Sequence, residues 1–225
     1  MKKFLALFLA LAMMFALAAC AGSNNGTTED QATQAPDPTA EPPAEPTAEE
    51  ETPAEAEAPT QAEETGGKIL VAYFSATNNT AGVAQKLADG LGADLYEVVP
   101  EQPYTSEDLD YGNSKSRSSV EMDDPSARPA ISGSVENMEQ YDIVFIGYPI
   151  WWGEAPRIMS TFVESYDFSG KTLVAFCTSA SSGFGSSDSA LKSATGTATW
   201  LDGHRFSAGA SVEDVLAWAN GLGIN

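Results

Sequence analysis

The sequence predicts an α/β domain over residues 68–225, with a parallel sheet covered by helices on both faces. Three apolar runs, at 69–74, 143–146 and 173–176, are continuous rather than alternating, which is typical of strands buried on both faces. Amphipathic segments with the period of an α-helix separate these runs. Strands that alternate with helices are joined by right-handed crossovers, so the strands of such a sheet run parallel.

Five strands are expected in chain order. The three continuous runs are rich in β-branched and aromatic residues, which strands favour. Residues 94–99 combine leucine, tyrosine and two valines and predict a further strand, second along the chain. Residues 197–205 predict the last strand.

The helices are indicated by apolar stripes and by the residues at their ends. Thr80 can cap the first helix, and Gly92 closes it. Pro156 suits the first turn of a helix, and Ser211 begins a variant of the capping box. Helices are predicted over residues 80–91, 106–122, 156–166 and 212–222.

The first twenty residues are typical of a bacterial export signal. Residues 1–3 are positive, and residues 4–19 form an apolar run that is short for a membrane span. The sequence from Leu17 to Cys20 resembles the lipobox of bacterial lipoproteins, in which the signal is cut before a cysteine that then carries lipid. We therefore expect a signal peptide at 1–19 and an extracytoplasmic protein that meets the membrane only through a lipid on Cys20. The alternatives are an uncleaved anchor helix and cleavage at another position.

Residues 20–67 are predicted to be a disordered tether. After Cys20 this segment has seven prolines, twelve acidic residues and no Lys, Arg, Val, Ile, Leu, Met, Phe, Tyr or Trp. Such a composition cannot bury enough apolar surface to offset the entropy lost on ordering. Proline and like charges favour an extended chain, so the segment would act as a spacer.

Charge and cysteine content argue against several classes of protein. The chain has 11 basic and 32 acidic residues and a formal charge of −21, whereas nucleic-acid binders carry a basic face. Two cysteines, Cys20 and Cys177, and one histidine, His204, are too few for a structural zinc site or a disulfide scaffold. We expect no metal site and no bound nucleic acid, and we predict Cys177 to be a buried core thiol.

The first motif lies directly after the first predicted strand and opens the first helix. It comprises Ser75, Ala76, Thr77, Asn78, Asn79 and Thr80. Backbone N–H groups, hydroxyls and a helix dipole can hold a phosphate dianion without any basic side chain. The same composition also suits an ordinary capped turn between a strand and a helix.

The second motif follows the predicted strand at 143–146 and contains two adjacent tryptophans in a loop of proline and glycine. Its candidate site residues are Pro149, Ile150, Trp151, Trp152 and Gly153. A planar ring can stack on a tryptophan for about 0.5–1.5 kcal/mol beyond the area that it buries. Because neighbouring side chains usually point apart, we expect one tryptophan to face a ring and the other to pack in the protein.

The third motif follows the strand at 173–176, and its small residues allow a flat polar ligand to approach the backbone. Its candidate site residues are Thr178, Ser179, Ser182, Gly183 and Phe184. A flexible loop of glycine and serine is the plain alternative for this segment. Because the carboxyl ends of parallel strands meet at one edge of a sheet, we expect the three motifs to converge there.

Together the three motifs resemble the flavodoxin family. The phosphate loop of that family reads Thr/Ser-x-Thr-Gly-x-Thr, which Ser75, Thr77 and Thr80 match, with Asn78 in place of glycine. Asparagine tolerates the left-handed conformation that such a glycine adopts. The other two motifs resemble the ring-contacting loops of the family.

The resemblance implies a three-layer sandwich with a five-stranded parallel sheet in the order 2-1-3-4-5 over residues 68–225. Strand order and cofactor position are then those of flavodoxin itself. FMN is the implied cofactor, with its phosphate on the first motif and its ring between the second and the third.

The implied function is electron transfer with a redox partner protein or a small electron acceptor. One alternative is an FMN-dependent NAD(P)H:quinone-type oxidoreductase, and another is a surface module of this fold that has lost FMN. Whether the chain is an enzyme therefore stays open. Residues 68–225 contain 9 basic and 20 acidic residues, and this net negative charge is expected to lower the reduction potential of bound FMN.

Overall fold

The core of the protein is a sheet of parallel strands, and the structure, a computed structural model, describes residues 67–224. The predicted signal peptide, Cys20 and all but the last residue of the predicted tether lie outside the described residues. The strands are β1 (Ile69–Tyr73), β2 (Asp94–Glu97), β3 (Val99–Pro100), β4 (Ile131–Ser132), β5 (Ile143–Pro149), β6 (Thr172–Thr178), β7 (Thr199–Trp200) and β8 (His204–Phe206). The helices are α1 (Asn79–Leu91), α2 (Arg117–Asp123), α3 (Arg157–Glu164), α4 (Ser189–Ala194) and α5 (Val212–Gly221), with a short 3-10 turn at Met138–Gln140.

The main sheet has the strand order β2-β1-β5-β6, and the outer edge of β6 pairs with β7 at one end and with β8 at the other. All of these pairs are parallel. Because β7 and β8 are two pieces of one interrupted strand, the order is the predicted 2-1-3-4-5. The interruption falls at Gly203, where a Cβ atom would collide with the ring of Phe184. The prediction of one continuous strand at 197–205 was therefore wrong.

Alternate residues of the strands build two cores, one on each face of the sheet. In β1, Leu70 and Ala72 belong to the core that includes α3 and α4, whereas Val71 and Tyr73 belong to the core that includes α1 and α5. None of the four side chains is more than 7% exposed. The predicted arrangement of helices on both faces of the sheet is confirmed, and the start of α1 lies directly after β1.

The strand predicted at 94–99 divides into two pieces at Val98, which is fully buried. β2 continues the main sheet beside β1, whereas β3 pairs antiparallel with β4. This small two-stranded sheet and helix α4 were not predicted. Within residues 67–224 there is no helix with the length and apolar character needed to cross a membrane.

The helix predicted over 106–122 is wrong for most of its length, because α2 begins only at Arg117. The preceding residues form turns held by local side-chain bonds. The carboxylate of Asp108, for example, accepts a hydrogen bond from the Thr105 amide at 2.9 Å. Such bonds compete with helix formation, and the helix starts only where Ser116 caps it.

Candidate functional site

The three motifs converge on one cavity of about 580 Å³ at the carboxyl ends of β1, β5 and β6. Its volume lies in the range of roughly 300–1,000 Å³ that small-molecule sites occupy. The cavity is lined by Thr77, Asn79, Tyr111, Pro149, Ile150, Thr178, Ser179, Ala180, Ser181, Ser182, Ser207 and Ala208. Every motif contributes to this wall, so the expected convergence is confirmed.

Thr178, at the end of β6, ties the three motifs together. Its hydroxyl shares a buried hydrogen bond of 2.8 Å with the hydroxyl of Thr80 in the first motif. Its carbonyl oxygen accepts from the amide of Ile150 in the second motif at 3.0 Å. These two hydrogen bonds hold the three loops at fixed positions relative to one another.

The first motif forms a cradle of free hydrogen-bond donors. Within residues 67–224, no backbone carbonyl accepts from the amides of residues 75–81. The hydroxyl oxygen of Ser75 is buried and has no hydrogen-bond partner within the same part of the chain. An unsatisfied buried hydroxyl costs about 1–3 kcal/mol, and a bound anion at the start of α1 would satisfy both it and the amides.

Asn78 gives the cradle its shape. Its φ is 61° and its ψ is 0°, in the left-handed region, and its side chain makes no capping hydrogen bond to α1. The residue therefore acts through its backbone conformation, as predicted for a position where the family has glycine.

Substitutions at Asn78 are expected to separate backbone conformation from side-chain chemistry. Asn78→Gly should keep or raise the free energy of unfolding, whereas Asn78→Ala should lower it by about 1 kcal/mol, because alanine tolerates positive φ less well. Urea unfolding followed by circular dichroism measures both changes. An alanine variant more stable than the glycine variant would contradict this account.

The second motif closes in a tight turn between Trp151 and Glu154. The amide of each residue donates to the carbonyl oxygen of the other, at 3.0 and 2.9 Å. The two central residues, Trp152 and Gly153, have φ values of 49° and 87°, which is the signature of a type I′ turn. Arg157 fixes the turn, because its guanidinium bonds both the Glu154 carboxylate at 2.8 Å and the Met122 carbonyl at 2.9 Å.

The two tryptophans divide as expected in their packing. Trp151 is only 1% exposed and packs edge-on against Phe74 and Tyr104, with ring centroids 5.6 and 5.2 Å away. Trp152 is 48% exposed and contacts Tyr111, with ring centroids 5.1 Å apart. Neither indole lines the cavity, but Tyr111 does, so Trp152 belongs to the rim of the cavity only through its contact with Tyr111.

The loop of the third motif is held by hydrogen bonds to the side chain of its own Ser179. The hydroxyl oxygen of Ser179 accepts from the amides of Ser181 at 3.2 Å and Ser182 at 2.8 Å. These two amides are therefore already used and are not free to bind a ligand. Arg205 supports the loop from behind, since its Nη2 donates to the carbonyl oxygens of Ser179 at 2.8 Å and Ala180 at 3.1 Å.

Several predicted site residues lie beside the cavity rather than in its wall. These are Ser75, Ala76, Asn78, Thr80, Trp151, Trp152, Gly153, Gly183 and Phe184. Phe184 is the clearest case, because its ring packs over Gly203 in the break of the edge strand. Thr80 supports the wall from beneath through its hydrogen bond to Thr178, and the buried hydroxyl of Ser75 has no hydrogen-bond partner in the described part of the chain.

Sequence reasoning missed five lining residues: Tyr111, Ala180, Ser181, Ser207 and Ala208. Ser207 and Ala208 follow β8 and could have been found by applying the same strand-end rule to the fifth strand. Tyr111 comes from the long excursion between β3 and β4, where neither motif nor periodicity indicates the site.

The chemistry of the site is that of a neutral binding cavity. No Asp, Glu, Lys, Arg, His or Cys lines it among the residues that the structure describes. Cys177 is fully buried beneath it, and burial raises the pKa of its thiol to about 12, so the thiol is not a nucleophile at neutral pH. Across residues 67–224 no group of His, Cys, Asp and Glu side chains is arranged to hold a metal ion.

A doubly wound parallel sheet with a cavity beyond the carboxyl ends of its strands defines an α/β protein of the open-sheet class. A family model described as Flavodoxin matches residues 68–222. The chain therefore belongs to the flavodoxin family, and the flavodoxin-like fold predicted from the sequence is confirmed.

Solved structures include several similar chains. A candidate flavoprotein from Bacteroides eggerthii DSM 20697 is 49% identical over 70% of this chain and 99% of its own, with a TM-score of 0.67. One from Bacteroides uniformis ATCC 8492 is 44% identical over 69% of this chain and 99% of its own, with a TM-score of 0.66. A flavoprotein in complex with FMN from Lactobacillus acidophilus NCFM is 20% identical over 68% of this chain and 99% of its own, with a TM-score of 0.53. This likeness supports the fold alone. No curated protein matches the chain.

Proposed function

We propose that the chain binds FMN in the cavity at the strand ends and serves as an electron carrier. The observation that carries this proposal is the convergence of three strand-end loops on one neutral cavity that has a cradle of free amides at one side. Membership of the flavodoxin family supports the binding of FMN, and the similar chain from Lactobacillus acidophilus is a flavoprotein in complex with FMN. When bound, FMN supplies reversible one-electron and two-electron chemistry, which the protein can only orient and tune.

The first motif would hold the phosphate. The free amides of residues 75–81 and the unpaired hydroxyl of Ser75 are donors that a dianion requires. The N-terminus of α1 adds a partial positive charge of about half an elementary charge. No basic side chain lines the cavity, so these neutral donors would provide the binding energy.

The second and third motifs would hold the ring system. Pro149 and Ile150 offer an apolar wall, and the loop at 178–182 offers peptide groups to a polar edge. Tyr111 and Trp152 form an aromatic pair at the rim, where they can exclude water from the cavity.

The residues in the cavity wall favour a carrier over a self-sufficient reductase. Within the described part of the chain, Tyr111 is the one lining residue with an ionisable side chain, and partial burial raises its pKa above the ordinary value for tyrosine. Tyr111 therefore keeps its proton near neutral pH and is a weak acid, and no carboxyl or imidazole group lines the cavity in the described residues. A carrier does not require such a group.

Titration of the apoprotein with FMN tests the proposal. We expect quenching of the FMN fluorescence with one site per chain and a flavin absorbance spectrum that stays with the protein during gel filtration. Absence of measurable affinity would contradict the proposal and favour a surface module that lacks FMN. Steady NAD(P)H oxidation by the loaded protein without a separate reductase would instead favour the oxidoreductase.

We also propose that the protein is a lipoprotein held at the outer face of the membrane by Cys20 and the acidic tether. The support is the short apolar run that ends at a cysteine and the segment after it, which has no apolar residue large enough to build a core. Cys20→Ser is expected to move the protein from the membrane fraction to the soluble fraction of cells. Cys177→Ala is the matched control and should leave the protein in the membrane fraction; equal fractionation of both variants would refute the anchor.

A further inference from the structure

Arg205 lies in β8, directly behind the loop of the third motif. Its Nη2 atom donates to the carbonyl oxygens of Ser179 and Ala180, at 2.8 and 3.1 Å. Both of these residues line the cavity, whereas Arg205 does not. The guanidinium is therefore separated from the cavity by the backbone of Ser179 and Ala180, which it holds in place.

The charge of Arg205 has no counter-ion in the described part of the chain. Five other basic residues form ion pairs there, between Lys68 and Asp94, Arg117 and Glu121, Arg128 and Glu164, Arg157 and Glu154, and Lys192 and Asp188. No carboxylate among residues 67–224 lies within 4.0 Å of Arg205, and its Nε is buried without a hydrogen-bond partner. Lys86, Lys115 and Lys171 also make no ion pair in the described part of the chain, but of these four residues only Arg205 leaves a buried side-chain nitrogen without a hydrogen-bond partner.

The two hydrogen bonds also orient the loop. Because the peptide unit is trans, the amide N–H of Ala180 points away from Arg205 when the Ser179 carbonyl points toward it. Within residues 67–224 no backbone carbonyl accepts from this amide. The guanidinium thus holds one unused N–H group in a residue that lines the cavity.

We propose that Arg205 is a positioning residue for the bound FMN, which orients the loop at 179–182 and favours negative charge on the ring beside that loop. The proposal rests on the proposed function, since it requires FMN in the cavity. The reduced ring carries more negative charge than the oxidised ring, so Arg205 would bind the reduced state more tightly and raise the reduction potential. Its effect opposes that of the acidic surface.

The pKa values of two groups near Arg205 depend on its charge. Cys177 and His204 both lie close enough for the guanidinium to act on their pKa values, and Asp188 acts on Cys177 in the opposite direction. Burial is the larger cause of the lowered pKa of His204, and the charge of Arg205 lowers it further. Because His204 is the single histidine of the chain, one NMR titration can read this field without FMN.

The test compares the wild type with Arg205→Lys, which keeps the charge, and with Arg205→Gln and Arg205→Met, which remove it. Affinities for oxidised and reduced FMN are measured for each by titration and from the midpoint potential at constant pH. Loss of the charge is expected to weaken binding of reduced FMN relative to oxidised FMN by about tenfold, and the lysine variant should stay close to the wild type. The methionine variant replaces the glutamine variant if the latter does not fold. A raised pKa of His204 in a variant whose circular dichroism spectrum and unfolding midpoint match those of the wild type shows that the charge was removed from a folded chain.

Equal relative affinities in the wild type and a charge-free variant would overturn the role of Arg205 alone. A lysine variant that behaves like the charge-free variants would show that the hydrogen bonds of the guanidinium matter and its charge does not. This result would overturn the electrostatic role of Arg205. If the wild type binds no FMN, the proposed function itself fails, and the role of Arg205 fails with it.

Discussion

Replacing Thr77 with aspartate is expected to weaken FMN binding by about a hundredfold or more. Thr77 lies in the first motif, is exposed and lines the cavity, so the folded structure can accommodate a carboxylate there. Two negative groups about 5 Å apart at an effective dielectric constant near 20 repel each other by about 3 kcal/mol for each pair of unit charges. Fluorescence titration of the variant with FMN measures the loss.

Two controls make this result specific. Ser193→Asp adds the same charge at an exposed position of α4 and should leave FMN affinity unchanged. Riboflavin lacks the phosphate, so its weaker binding should be nearly the same in wild type and Thr77→Asp. If the aspartate variant bound FMN as the wild type does, the phosphate could not lie on the first motif.

Replacing Trp151 with alanine is expected to lower the free energy of unfolding by about 3–5 kcal/mol, the usual loss for a large aromatic side chain in a core. Trp151 is 1% exposed and joins the edge-on cluster with Phe74 and Tyr104. Its removal leaves a cavity directly beneath the turn that carries Trp152. Urea unfolding of the domain measures the loss.

Trp152→Ala is the matched control, since it truncates the neighbouring residue of the same type. Trp152 is 48% exposed, so the expected change in the free energy of unfolding is within about 0.5 kcal/mol. FMN affinity should fall in this variant, because the aromatic pair with Tyr111 is lost from the rim. Equal destabilisation by both substitutions would contradict the division of the two tryptophans between core and rim.

The parts of the structure that the sequence predicted well are those that depend on burial. The continuous apolar runs of β1, β5 and β6, rich in β-branched and aromatic residues, are typical of strands covered on both faces, and the helices between them indicate a parallel sheet. The strand-end rule located Thr77, Pro149, Ile150 and Thr178 in the cavity wall.

The parts that it missed depend on tertiary contacts. The turns before α2 replaced a predicted helix because local bonds such as Thr105 to Asp108 satisfy the backbone there. Tyr111 reaches the cavity only because that excursion folds across the sheet end. Phe184 lies in a loop with the composition of a binding site, but its ring packs on Gly203. No local sequence pattern distinguishes a phenylalanine that lines the cavity from one that packs on the sheet.

The interruption of the outer strand has a consequence for colloidal behaviour. β7 and β8 expose only short stretches of unpaired backbone, two and three residues long, on that side of the sheet. At the opposite side, β2 carries Glu97 and the ion pair of Asp94 with Lys68, and an incoming strand would have to remove these charged groups from water. Neither border of the sheet is a good template for intermolecular β-pairing, which would protect the domain from aggregation where many copies are crowded on one surface.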